Sequence, residues 1–98
     1  MPKKPQLKWR PEASSDLLNI VGYIADSNPT AADKLAVLIE EKVTALPEHP
    51  RLYKASDRVQ GVREMVVHEN YIVVYSETPN AIEIVSVLHV RQQFPPIG

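Results

Sequence analysis

Residues 61–91 constrain the fold of this chain more than any other stretch. They read GVREMVVHENYIVVYSETPNAIEIVSVLHVR, in which runs rich in Val, Ile and Tyr are separated by HEN and by ETPN. Short β-branched and aromatic runs punctuated by turn residues predict an antiparallel meander. Successive side chains of a strand point to opposite sides, so the runs also assign faces. In the first run Arg63, Met65 and Val67 oppose Val62, Glu64 and Val66; in the last, Glu83, Val85, Val87 and His89 oppose Ile82, Ile84, Ser86 and Leu88. A sheet this small needs an apolar cover on one face. The residues before it are expected to supply one.

Gln6 to Arg10 places Leu7 and Trp9 on one side and Lys8 and Arg10 on the other, as an edge strand that adds a fourth member to the sheet would. Pro11 suits the first turn of a helix, where its missing N–H has no partner to lose. Ala13, Leu17, Ile20, Val21 and Ile24 then recur at helical spacing to about Asp26. A narrower stripe of Leu18, Gly22 and Ala25 widens the apolar surface beside them. Asn28 followed by Pro29 is a good cap and first-turn pair for a second helix running to about Leu46. That helix carries Ala32, Leu35, Ala36, Ile39 and Val43 on one side and is stopped by Pro47. So short a break predicts an antiparallel helical hairpin lying on one face of the sheet. His49 to Gln60 follows neither period and reads as a surface connection, and Gln92 to Gly98 reads as an extended tail that packs Phe94 back on the domain.

A length of 98 residues fits one domain with a single modest core. The absence of cysteine removes disulfides, thiolate ligands and cysteine nucleophiles, and suits the reducing cytoplasm where the protein is expected to reside. No secretory signal and no run of eighteen apolar residues is found, so no membrane association is expected. A net charge of -1 argues against affinity resting on counterion release from a long duplex. The charge is nonetheless segregated: residues 1–10 hold four cations and no acid, residues 11–48 two cations against seven acids, and residues 49–98 five of each. Gly22, Gly61 and Gly98 form no phosphate-cradling loop, and His49, His68 and His89 lack the spacing of a metal site, so neither cofactor nor metal is expected. What remains is a polar set beside the sheet: Arg63, His68, Tyr71, Tyr75, His89, Arg91 and Gln92. A metal-independent ribonuclease needs a base, an acid and a cation for the phosphate, and Arg63 and His89 are candidate neighbours in such a set. The plainer reading is that the tyrosines fill half-buried surface and Arg63 pairs with an acid.

Taken together, the order of elements and four motifs resemble the ParE/RelE family of toxins from bacterial toxin-antitoxin pairs. The motifs are P-E-A-x-x-D-L from Pro11, Y-I-A from Tyr23, N-P-x-A-A from Asn28 and V-L-H-x-x-Q-x-x-P from Val87, so the resemblance covers nearly the whole chain. It implies an α+β fold in which an N-terminal strand and an antiparallel helical hairpin accompany a small twisted antiparallel sheet. It also implies a ParD-like antitoxin partner that wraps the toxin in a hetero-oligomer and reaches operator DNA through its own N-terminal part. The candidate antitoxin contacts are Leu18, Gly22, Ala25, Leu38 and Tyr75. RelE-like members cleave messenger RNA on the ribosome with a dense set of cations on the sheet, whereas this chain has Met65 and Ile72 among the corresponding strand positions. ParE-like members act on DNA gyrase and resemble the chain throughout. The expectation is therefore a non-enzymatic gyrase poison whose target surface includes Arg63, His89, Arg91, Gln92 and Arg58. The alternative is a RelE-like mRNA interferase with Arg63, His89 and Arg91 as catalytic residues.

Overall fold

A computed structural model describes residues 4–92. Strand β1 (Gln6–Trp9) leads into helix α1 (Pro11–Ala25) and helix α2 (Pro29–Thr44), followed by a 3-10 turn at Leu46–Glu48 and strands β2 (Lys54–Ala55), β3 (Arg63–His68), β4 (Tyr71–Glu77) and β5 (Ala81–His89). The strands form one sheet in the order β1-β5-β4-β3-β2. Pairing from β2 to β5 is antiparallel, as the meander requires. β1 takes the expected edge but runs parallel to β5, with Gln6 opposite Ala81 and Trp9 opposite Ile84. The helices between them provide the long crossover that a parallel pair needs. β2 is a fifth strand inside the expected connection, and two residues are too few to show any period.

Both helices begin where the prolines predict. Pro29 occupies the first turn of α2, and the Asn28 side chain accepts a hydrogen bond from the Ala31 N–H at 3.1 Å. That bond satisfies one of the amides a helix start leaves unpaired. α2 ends at Thr44 rather than Leu46, because the ring of Pro47 conflicts with the Val43 carbonyl of a continued helix and the chain tightens into the 3-10 turn instead. The expected helical stripes form the cover: Ala13, Leu35, Ile39, Val43 and Leu46 are buried against Met65, Val67, Val73, Tyr75 and the β5 side chains. Among the described residues no helix is long and apolar enough to cross a membrane. The proposed packing of Phe94 lies outside the described residues.

The simple alternation fails in β5. Val74 pairs with Ser86 but Tyr75 pairs with Ile84, so Val85 is the extra residue of a β-bulge. A bulge shifts the side-chain phase by one. Ile82, Ile84 and Val87 consequently join the helix-side core, while Val85 and Leu88 meet Ile72 and Val74 on the other face. The Asp16 carboxylate on α1 reaches this irregularity, accepting from Ser86 Oγ at 2.8 Å and from the Val87 N–H at 3.1 Å.

Candidate functional site

The polar residues of the sheet separate into two groups at opposite ends. At one end, Gly61 enters β3 with φ of +89°, a conformation that any side chain would strain. Beyond it Arg63 Nη1 donates to the Tyr53 carbonyl at 2.7 Å, and a shallow hollow of about 220 Å³ opens between Ala55, Gly61, Val62, Arg63 and Glu77. Arg58 donates to both oxygens of Glu64, through Nε at 3.3 Å and Nη2 at 3.0 Å. Ser56 Oγ donates to the same carboxylate at 2.6 Å and accepts the Arg58 and Val59 N–H groups, each at 3.1 Å. The Arg58 guanidinium foremost, with the Ser56 hydroxyl, holds the Glu64 carboxyl below the ordinary carboxylate range against the opposing effect of its partial burial. Both arginines thus fasten the loop from residue 49 to residue 62 onto the sheet.

The other end holds a row of three rings on directly paired residues, with Tyr71 opposite both His68 and His89. The Tyr71 ring centroid lies 6.1 Å from that of His68 and 5.3 Å from that of His89, the latter edge to face. The same local turn recurs at both imidazoles: the Asn70 N–H donates to His68 Nδ1 at 3.2 Å and the Arg91 N–H donates to His89 Nδ1 at 3.1 Å. With Nδ1 accepting, the neutral ring carries its proton on Nε2, a donor with no partner among the described residues in either histidine. Among the described residues the Tyr71 hydroxyl has no side-chain or backbone partner, and its ring is half-buried against the helix-side core. The arginines divide in the same way. Arg10 bonds Glu83, Arg51 bonds Glu77, Arg58 bonds Glu64 and Arg63 bonds Tyr53, whereas the Arg91 guanidinium has no partner among the described residues.

Arg63 and His89 are not neighbours. Arg63 pairs with Tyr75 and His89 with Tyr71, on opposite sides of β4. Four residues of strand separate those positions, about 13 Å. No single substrate-sized site combines Arg63 with His89 and Arg91; His89, Arg91 and Gln92 share one end with His68 and Tyr71. The last two belong to the polar set legible in the sequence, but only strand register shows that they complete this row. On the helices Leu18 is 73% exposed, Gly22 is exposed with open space above its Cα, and Ala25 and Leu38 are half-buried. Tyr75 leaves the surface set: its ring is wholly buried, burial pushes its phenol up, and its hydroxyl donates to the Pro50 carbonyl at 2.8 Å.

A helical hairpin packed on one face of a mixed five-stranded sheet defines the class of this protein. Residues 7–94 match the family model of the ParE toxin of type II toxin-antitoxin systems, parDE, and the chain belongs to that family. It is 28% identical over 94 residues to Y4kP of Sinorhizobium fredii, a protein whose toxin designation is provisional, covering 96% of this chain and 97% of that one. It is 29% identical over 84 residues to the toxin RelE2 of Caulobacter vibrioides, covering 86% and 93% respectively. Among solved structures, the chromosomal ParDE TA system from P. aeruginosa superposes with a TM-score of 0.80 at 24% identity, covering 90% of this chain and 98% of that one. The E. coli DinJ-YafQ toxin-antitoxin complex gives 0.64 at 13% identity, covering 94% and 99%. These two likenesses establish the fold.

Proposed function

We propose that this ParE-family toxin arrests growth by poisoning DNA gyrase and is neutralised by a ParD-like antitoxin. The observation that carries this reading over message cleavage is the aliphatic character of the sheet face opposite the helices. Val62, Val66, Ile72, Val74, Val85 and Leu88 stand there, where a phosphate clamp calls for cations. The likeness to the chromosomal ParDE TA system from P. aeruginosa supports the antitoxin as partner. Within this reading the gyrase-facing residues are His89, Arg91 and Gln92; Arg63 and Arg58 contribute from the far end chiefly by holding their loop. The row His68–Tyr71–His89 beside Arg91 favours the second reading, an mRNA interferase. Purified protein with gyrase, ATP and plasmid, beside an in vitro translation reaction, separates the two. Linear, protein-linked plasmid with intact messages is the expected outcome, and cut messages with unaffected gyrase would establish the interferase.

A further inference from the structure

At the Tyr71 end of the sheet, His68 Nε2, His89 Nε2, the Tyr71 hydroxyl and the Arg91 guanidinium all present donors that nothing among the described residues accepts. The two imidazoles cannot offer Nδ1, since each Nδ1 already accepts a backbone N–H, so the array is weighted toward donation. Glu69, the carboxylate of the same turn, is exposed and makes no hydrogen bond to any of the four among the described residues. An array of donors around one permanent cation selects an anion. Its shape narrows the choice, because ring-to-ring steps of 6.1 and 5.3 Å run across β3, β4 and β5 as an elongated row rather than a closed cup. A linear polyanion fits such a row better than a single small ion, and the exposed His68 imidazole adds a face on which an unpaired base stacks, while Tyr71 and His89 are half-buried.

We infer that this end of the sheet grips a single nucleic-acid strand by its phosphodiester backbone, and that the strand is DNA. The choice of DNA rests on the gyrase-poison reading, in which an opened DNA strand lies beside the toxin. Affinity comes from a few local contacts, as the net charge of -1 provides no general attraction.

The test is a nuclear magnetic resonance titration of the whole chain with a twelve-residue oligothymidylate and, separately, a twelve-residue oligouridylate. The oligothymidylate is expected to shift the resonances of His68, Tyr71, His89 and Arg91. With one arginine neutralising one phosphate, the logarithm of affinity should fall against that of salt with a slope of roughly -0.7, as for single strands. Arg91→Ala, at an exposed position outside the core, should weaken binding about tenfold, the effect of losing one charge-assisted hydrogen bond, and flatten that slope. Lys34→Ala, which removes an exposed cation from α2, should leave binding unchanged. Equal loss in both variants, or shifts centred on Arg63, would reduce the effect to generic charge and overturn the site. Binding of oligouridylate but not oligothymidylate would overturn the DNA assignment and direct attention to messages. If neither binds, the inference fails while the gyrase cleavage assay still decides the toxin reading by itself.

Discussion

Asn28 fixes the start of α2 through one side-chain hydrogen bond to the Ala31 N–H. Asn28→Ala should cost about 1 kcal/mol. In a domain of this size that lowers the melting temperature by about 4–8 °C; an unchanged melt would mean that Pro29 alone sets the helix start. Glu64 is the residue whose titration should be visible in stability. Its carboxyl is held below the ordinary value of 4.5 by Arg58 and Ser56. A depressed carboxyl stabilises the fold above its unfolded value and loses that contribution as pH falls through the folded one. Denaturant midpoints should therefore drop below about pH 4.5 more steeply in the wild type than in Glu64→Gln, which cannot titrate. Parallel profiles would show that the Arg58 pair contributes nothing net, as exposed pairs often do. Asn28 and Pro29 were legible in the sequence because a cap is local. The Arg58–Glu64 pair was not, because its geometry depends on how a loop without periodicity folds back.

The bulge in β5 is the element that most changes what the sheet presents. It lets Ile84 and Val87 face the same core and places His89 on the Tyr71 side. Asp16 secures it from α1 by accepting from both Ser86 and Val87. Asp16→Ala should leave a part-buried amide and hydroxyl without an acceptor, at a cost of about 1–3 kcal/mol. Hydrogen exchange at the Val87 amide should accelerate in that variant, whereas Asp16→Asn should retain much of the protection; unchanged exchange in Asp16→Ala would show that pairing with β4 alone maintains the bulge. The helical stripes and the meander could be read from the sequence, since periodicity reports which side chains share a face. It does not report register, bulges or partner strands. For that reason the parallel pairing of β1, the two-residue β2 and the separation of Arg63 from His89 emerged only with the structure. His68 and Tyr71 stood in the sequence as polar residues, but nothing there aligned them with His89.

At the scale of the molecule, the proposed function assigns the toxin two surfaces. The helical layer presents Leu18 at 73% and Tyr23 at 80% exposure, together with the exposed Gly22, and is the surface proposed for the antitoxin. Leu18→Asp should alter stability by no more than about 0.5 kcal/mol, as exposed positions usually do. The same change should abolish co-purification with a co-expressed antitoxin and leave growth arrest unrelieved; an intact complex would move the antitoxin contact elsewhere. The Tyr71 end of the sheet, with His89, Arg91 and Gln92, is the surface proposed for gyrase. The decisive measurement is the yield of linear, protein-linked plasmid from gyrase and ATP across a titration of wild type and Arg91→Ala. Cleaved complex rising with wild-type toxin and strongly reduced with Arg91→Ala is the predicted result. A toxin that arrests growth yet never raises cleaved complex would contradict the account.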